Sequence, residues 1–113
     1  MNKTLESKSR ILVVENEEVF VELIRSVLKD YNLTVASTAE NAIKHIKDVD
    51  LVITDYDFPG GGFEAIKPHL LEHDKNYIIQ SSAARKDSSK NLIAIIGKHE
   101  VVHKLPKLVK DNI

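Results

Sequence analysis

Short runs dominated by apolar residues alternate along the chain with longer stretches in which apolar residues recur every three or four positions. The short runs are Ile11–Val14, Leu33–Ala36, Leu51–Thr54, Tyr77–Ile79 and Val101–Val102. Continuous apolar runs of this kind are typical of strands that lie buried on both faces of a parallel sheet. The pattern therefore predicts five strands, of which the last is the shortest.

The first two periodic stretches predict amphipathic helices. Between Glu17 and about Asp30 the apolar residues form one stripe along a helix, and a sheet must cover that stripe. Ser37 and Glu40 fit a capping box at the start of a second helix, which ends near Lys47. Each of these helices follows one predicted strand and precedes the next.

Three further helices are predicted after the third strand. The apolar spacing over Phe63–Leu71 favours a helix, but Pro68 removes a helical hydrogen bond, so we expect this helix to be kinked or to start late. Leu92–Ile96 predicts a fourth helix closed by Gly97, and Leu105–Val109 predicts a short last helix. Strands that alternate with helices predict an α/β fold, a doubly wound parallel sheet with helices on both faces.

The composition is that of one globular domain. The chain has 113 residues, 42% of them hydrophobic and 29% charged, so residues 1–113 are expected to form a single domain with a polar leader over residues 1–9. The formal net charge of -1 disfavours nucleic-acid binding by this chain, and the absence of cysteine excludes disulfides and thiolate sites. Since no segment resembles a signal peptide or a membrane span, we expect a cytoplasmic location and no membrane partner.

Five polar side chains follow the predicted strands: Glu15, Asn16, Asp55, Ser82 and Lys104. In open α/β sheets, ligands bind beyond the carboxyl ends of the strands, where these side chains would converge. Carboxylate and amide oxygens suit a hard cation such as Mg²⁺, whereas a lysine and a serine hydroxyl suit phosphoryl oxygens. This set of residues predicts a phosphoryl-transfer site.

In these residues the sequence resembles the receiver domains of response regulators, the CheY-like domains of two-component signalling. The resemblance extends from about Arg10 to Lys107. Ile11–Glu17 resembles the family's first strand with its acidic pair, and Asp50–Pro59 resembles the segment that carries the phosphoryl acceptor. Asp55 takes the acceptor position in that segment.

The resemblance also implies roles for the other polar side chains. Ser82 matches the family's hydroxyl position and Lys104 its lysine position, so both would hold phosphoryl oxygens on Asp55. The implied ligands of Mg²⁺ are Glu15, Asn16, Asp55 and the backbone carbonyl of Asp57. The family further implies the flavodoxin-like sheet order 2-1-3-4-5.

The implied function is that of a receiver, not of a metabolic enzyme. It would accept a phosphoryl group from a histidine kinase or phosphotransfer protein and signal by conformational change. The alternative is a pseudo-receiver, a protein-interaction module that keeps the fold without phosphorylation. The sequence departs from the family pattern in four ways, of which Asn16 and Val101 permit this alternative. Asn16 replaces a second acid, Lys104 is not directly followed by proline, Val101 stands where an aromatic residue is usual, and the Gly60–Gly62 loop is short.

Other interpretations of single motifs remain beside this one. Asn16 also suits the cap of the first helix, a role that is compatible with metal binding. His69–His73 matches the H-x-x-E-H pattern of inverted zinc peptidases, but no third ligand is indicated, so an ordinary exposed helix is the favoured interpretation. The triple glycine lacks the Lys-Ser/Thr of a phosphate-binding P-loop, which disfavours nucleotide binding.

Overall fold

A parallel sheet of five strands forms the centre of the computed structural model, which describes residues 9–113. The strands are β1 (Arg10–Val14), β2 (Asn32–Ala36), β3 (Leu51–Asp55), β4 (Tyr77–Ser81) and β5 (Leu92–Gly97). Their order in the sheet is β2-β1-β3-β4-β5, and all neighbours are parallel. The predicted fold class and sheet order are therefore confirmed. The predicted leader falls almost wholly outside the described residues.

Helices cover both faces of this sheet. They are α1 (Glu18–Val27), α2 (Ala39–His45), α3 (Gly62–Glu72) and α4 (Val101–Asp111), with short 3-10 turns at Ile46–Asp48 and Lys98–Glu100. α2 and α3 pack against one face, which includes Leu12 and Tyr77, whereas α1 and α4 pack against the other, which includes Ile11 and Ile78. Successive strand residues point to opposite faces, so the central strands contribute to both cores. No helix among residues 9–113 is long and apolar enough to cross a membrane.

The predicted helix at Leu92–Ile96 is wrong, because these residues belong to β5. Pairing with β4 runs from Tyr77 beside Leu92 to Ser81 beside Gly97. Periodicity alone does not separate a short buried strand from a short buried helix. Three β-branched isoleucines favour the strand, and the neighbouring strand provides the hydrogen-bond partners that a strand requires.

The predicted fifth strand at Val101–Val102 is also wrong, because α4 begins at Val101. Val101, Leu105 and Val109 are four residues apart and fully buried, so they form the stripe with which α4 contacts the sheet. The last helix is consequently longer than the predicted segment, which began at Leu105.

No helix lies between β4 and β5, where residues 82–91 form an irregular loop. The carboxylate of Asp87 in this loop is only 4% exposed. It accepts hydrogen bonds from the hydroxyl of Tyr77 on β4 and from the ammonium of Lys67 on α3. The Tyr77 hydroxyl also lies 2.6 Å from the Ser89 hydroxyl. Buried polar contacts therefore tie the loop to the face that α3 covers.

The turn between β3 and α3 requires a glycine. Gly62, the first residue of α3, has a φ of +65°, and a Cβ there would lie 2.6 Å from the carbonyl oxygen of Tyr56. A larger residue would therefore displace the chain directly after the end of β3. The helix then continues through Pro68, so the expected late start is wrong.

The ends of the first two helices differ slightly from the prediction. The hydroxyl of Thr38, not of Ser37, caps α2 by accepting a hydrogen bond from the backbone N–H of Asn41 at 3.2 Å. α1 ends at Val27 rather than near Asp30. Both differences are displacements along the chain that leave the helices in place.

Candidate functional site

The carboxyl ends of three strands bring two carboxylates and one ammonium together. Glu15 directly follows β1, Asp55 is the last residue of β3, and Lys98 directly follows β5. Their exposed fractions are 1%, 7% and 6%. Lys and Glu are rarely buried to this degree unless they are paired, so this cluster is a distinctive feature of the edge.

Lys98 is the centre of the cluster. Its Nζ lies 3.1 Å from Oε1 of Glu15, 3.1 Å from Oδ2 of Asp55 and 2.9 Å from Oε1 of Glu17. The ammonium also lies 4.3 Å from the centre of the Phe20 ring. Three carboxylates and one ammonium leave a net charge of -2 when all four groups are ionised, so the cluster attracts further positive charge.

Burial and the neighbouring charges shift the pKa of two of these groups. Burial acts to lower the pKa of Lys98, but hydrogen bonds to Glu17, Asp55 and Glu15 outweigh it and raise this pKa above its usual value. The pKa of Glu15 is raised, first by burial and then by the nearby charge of Asp55. The backbone N–H of Glu17 and the ammonium of Lys98 oppose this rise in part. Lys98 is thus firmly cationic, whereas Glu15 carries its negative charge under strain.

A buried amide orients Glu15. Nε2 of Gln80 on β4 donates a hydrogen bond of 2.7 Å to Oε1 of Glu15, and the backbone N–H of Glu17 donates one of 3.0 Å to Oε2. Gln80 is fully buried, and its own Oε1 has no hydrogen-bond partner in the part of the chain that the structure describes. Gln80 was not among the predicted site residues, although a glutamine within an apolar strand is a signal in itself, because buried polar groups need partners.

The two oxygens of Asp55 have different surroundings. Oδ1 accepts a hydrogen bond of 2.7 Å from the backbone N–H of Tyr56, and Oδ2 faces Lys98. The hydroxyl of Thr54 donates to the backbone carbonyl of Asp55 at 2.7 Å and so fixes the end of β3. A carboxylate held in this way is oriented before any ligand arrives.

A second charged pair lies at the rim of the site. Asp57, in the turn after β3, forms an ion pair with Arg85 from the loop between β4 and β5. The Arg85 guanidinium also stacks on the ring of Tyr56, 4.5 Å from its centre. The side chain of Asp57 is 75% exposed, so only its backbone carbonyl is a candidate for the metal role that the resemblance implied.

The placement of Lys104 at this edge of the sheet is wrong. Lys104 lies on α4 with 55% of its side chain exposed, and it pairs with Glu100 at 2.6 Å. Lys98 takes the expected place, because the strand before it is β5 and not Val101–Val102. The signal was present in the sequence, since Lys98 follows the apolar run before Gly97 much as Asp55 follows Leu51–Thr54.

Asn16 and Ser82 lie at the expected strand ends, but both are exposed. Asn16 makes no hydrogen bond with residues 9–113, and the cap residue of α1 is Glu17, so the interpretation of Asn16 as a helix cap is wrong. Ser82 follows the buried Ser81 and lines a groove of about 430 Å³ with Arg85 and Gly97. The metal role of Asn16 and the phosphoryl role of Ser82 stay predictions.

Two further expectations concern metals and the aromatic position. Val101 is a buried residue of α4 and not of the fifth strand, and β5 itself contains no aromatic residue. His69 and His73 lie at the end of α3, and no group of three or more His, Asp or Glu residues in the described part of the chain is arranged to hold a metal ion. The carboxylates around Lys98 converge on its ammonium and not on a common empty point.

Comparison with known proteins supports the fold. No protein-family model and no curated protein sequence matches the chain. Among solved structures, a signal receiver domain of an HD domain-containing protein from Pseudomonas fluorescens Pf-5 is 17% identical, with a TM-score of 0.82 over 93% of this chain and 94% of that one. A CheY-like receiver domain from Methylobacillus flagellatus is 15% identical, with a TM-score of 0.78 over 95% of this chain and 100% of that one.

A third similar structure is a CheY-like receiver domain protein from Methanospirillum hungatei JF-1. It is 18% identical, and the TM-score is 0.73 over 94% of this chain and 97% of that one. The chain therefore has the CheY-like receiver fold over nearly its whole length. At these identities the likeness concerns the fold, and the chemistry has to be argued from the side chains at the sheet edge.

Proposed function

We propose that this chain, which has the receiver fold, is a response-regulator receiver that accepts a phosphoryl group on Asp55. One observation carries the proposal: Asp55 is a buried carboxylate at the carboxyl end of the central strand, and its Oδ2 lies 3.1 Å from the buried ammonium of Lys98. Phosphoryl transfer depends mainly on positioning and on neutralising negative charge. Asp55 and Lys98 supply these two requirements.

In the proposed reaction a carboxylate oxygen of Asp55 attacks the phosphorus of a phosphohistidine. The bond between phosphorus and the histidine nitrogen breaks, and an acyl phosphate forms on Asp55. Lys98 takes the role that the sequence analysis assigned to Lys104, since it is the ammonium that faces the acceptor. Ser82, directly after β4, is the proposed hydroxyl partner of the phosphoryl oxygens.

Mg²⁺ is the proposed cofactor, held by the carboxylates of Glu15 and Asp55 with the backbone carbonyl of Asp57 and the assistance of Asn16. The donor set fits, because burial and, to a smaller extent, the charge of Asp55 raise the pKa of Glu15, and a dication beside the two carboxylates would stabilise their charged forms. Mg²⁺ commonly keeps several waters and uses only one or two carboxylates, so it does not need a preformed group of three acids. The metal would neutralise charge on the transferred group.

The proposed partner is a histidine kinase or a phosphotransfer protein, and the proposed location is the cytoplasm. A signalling role, not metabolic catalysis, follows from this chemistry, because the acceptor is a residue of the chain itself. The signal would be a shift between two conformations that differ in affinity for a downstream protein.

The test is intact-protein mass spectrometry after incubation with acetyl phosphate and Mg²⁺, followed by peptide mapping. We expect one labile phosphoryl adduct, located on Asp55, and no adduct in Asp55→Asn. Asp50→Asn is the matched control, because Asp50 lies at the other end of β3 and is exposed. An adduct that maps to Asp50 or Asp57 in the native protein would contradict the assignment.

A pseudo-receiver is the second candidate function. The observations that favour it are the neutral Asn16 in the place of an acid and the irregular loop where a helix between β4 and β5 would complete the alternation. A pseudo-receiver would remain folded and bind its partner without forming an adduct. The same mass measurement, combined with beryllofluoride binding followed by NMR, separates the two candidates.

A further inference from the structure

Glu17 is a partner of Lys98 that the strand-end pattern did not indicate. Oε1 of Glu17 lies 2.9 Å from Nζ of Lys98, whose other partners are Oε2 of Glu15 at 3.2 Å and Oδ2 of Asp55 at 3.1 Å. An ammonium group has three N–H donors, so these three carboxylates engage all of them. A phosphoryl oxygen can therefore bind Lys98 only if one carboxylate gives up its hydrogen bond.

Exposure determines which carboxylate leaves most easily. The side chains of Glu15 and Asp55 are 0% and 10% exposed, and a buried carboxylate that loses its cation is strongly destabilised. The side chain of Glu17 is 58% exposed, so water can replace Lys98 as its partner at little cost. Asp55 keeps its carboxylate charge until the phosphoryl group is transferred, so while the phosphoryl group approaches, Glu17 is the partner to be released.

We propose that Glu17 is a positioning residue that keeps Lys98 fully hydrogen-bonded until a phosphoryl group reaches Asp55, and that Lys98 then releases it. This inference rests on the proposed function of Asp55 and deepens it. Glu17 is also the cap residue of α1, and its backbone N–H donates to Glu15. Release of its carboxylate therefore changes contacts at the start of α1, on the side of the molecule away from the loop between β4 and β5.

The substitution Glu17→Gln tests the proposal through a rate. The amide oxygen of a glutamine can still accept a hydrogen bond but carries no charge, so it holds the donor of Lys98 less firmly, and an anionic phosphodonor meets one negative charge fewer. We expect the rate of phosphorylation by acetyl phosphate to rise about two- to fivefold, the range that corresponds to one partly exposed ion pair. Glu18→Gln is the matched control, because it makes the same change of charge one residue away at an exposed position of α1.

A second readout does not depend on phosphorylation. In ¹H–¹⁵N spectra of lysine side chains, an ammonium held by three acceptors exchanges its protons with water slowly. We expect the Lys98 ammonium to exchange faster in Glu17→Gln than in the native protein, and to be unchanged in Glu18→Gln. A residue that served only the stability of α1 would leave this signal unaffected.

The possible results separate the inference from the function on which it rests. If Glu17→Gln is phosphorylated more slowly and needs a higher Mg²⁺ concentration, Glu17 is a metal ligand. The proposal that Lys98 releases it would then be wrong. An equal rise of the rate in Glu18→Gln would show that the acceleration comes from the lower net negative charge of the protein, and it would also overturn the proposed role of Glu17. If no variant takes a phosphoryl group while Lys98 exchange still responds to Glu17→Gln, the receiver function and the release step fail, and only the contact stands.

Discussion

At the scale of single residues, the chemistry at the carboxyl ends of the strands depends on a lysine whose positive charge compensates buried carboxylates. Lys98 has 7% of its side chain exposed, and it faces two carboxylates whose side chains are 0% and 10% exposed. Lys104, only six positions later in the sequence, has 55% of its side chain exposed and one partner on its own helix. The two lysines, although close in the sequence, are therefore expected to contribute very differently to the free energy of unfolding.

Lys98→Ala should destabilise the protein, whereas Lys104→Ala should not. Removal of one member of a buried ion pair leaves an uncompensated charge and costs on the order of 3 kcal/mol, even though partial protonation of the acids limits the loss. An exposed pair one helical turn apart contributes about 0.3–0.5 kcal/mol. Urea denaturation of both variants at neutral pH measures the difference in the free energy of unfolding.

The same two variants also distinguish the roles of the lysines in phosphorylation. Lys98→Ala should impair the adduct on Asp55, and Lys104→Ala should form it at the native rate. The assignment of the site lysine fails if Lys104→Ala is the variant that loses phosphorylation while it remains folded. Lys98→Arg keeps the charge with a different geometry, and it serves as a third variant if Lys98→Ala does not fold.

At the scale of elements, the loop of residues 82–91 depends on one buried carboxylate. Asp87 is held by Tyr77 and Lys67, and the burial of Tyr77 and its bond to Asp87 raise the pKa of that tyrosine to about 12. Tyr77 belongs to the core on the face where α2 and α3 pack, so its bond to Asp87 ties the loop to that face. The loop is therefore held in place by hydrogen bonds, whereas the helices that connect the other strands are held by their apolar stripes.

Tyr77→Phe should flatten the dependence of stability on pH in the alkaline range. The folded protein holds the Tyr77 proton more tightly than the unfolded chain, whose tyrosine has a pKa of 10.0, so native stability falls as pH rises from about 10 to 12. The variant lacks this contribution, and at neutral pH it should be less stable by about 1–2 kcal/mol, since two hydrogen bonds are lost. Urea denaturation between pH 8 and about 12 measures both effects.

Tyr31→Phe is the control for this experiment, since Tyr31 is only half-buried and lies against the opposite core. The raised pKa of Lys98 also makes stability fall at high pH, but that contribution is common to the native protein and both variants. Parallel profiles for Tyr77→Phe and the native protein would show that the Tyr77 hydroxyl does not titrate differently in the folded state. The account of how the loop is held would then be wrong.

At the scale of the whole molecule, the two edges of the sheet are supported differently. β2 is followed by α2, whose capped helix packs on the sheet, whereas β5 is preceded by the irregular loop. β3, in the centre, is buried at every position, whereas in β5 only Ile96 is buried and the other residues are half-buried. We therefore expect β5 to be the edge whose stability depends on contacts made by the loop.

Native-state hydrogen exchange should show this dependence. Amides of β3 should exchange only by global unfolding, and those of β5 through openings of lower free energy. Tyr77→Phe should lower protection in β5 more than in β2, because the substitution frees the loop beside one edge only. Equal losses of protection at both edges would indicate that the substitution acts on global stability and not on the loop.

Much of this architecture follows from the sequence alone. Continuous apolar runs need burial on both faces, so the parallel sheet and its covering helices were predictable, and so were Glu15 and Asp55 at strand ends. The sequence did not decide between a strand and a helix for Leu92–Ile96, because a short buried run of either kind has the same apolar pattern. Because this segment was predicted to be a helix, the strand-end lysine was assigned to Lys104 and not to Lys98.

The tertiary structure alone decided which side chains meet. Gln80 binds Glu15 across 65 positions of the chain, and Glu17 binds Lys98 across 81. No local period encodes such contacts, because they depend on which strands become neighbours and on their register. The pairing of β4 with β5 places Lys98 at the end of the sheet and turns Lys104 to solvent. Strand pairing thus selected the ammonium that compensates the buried acids.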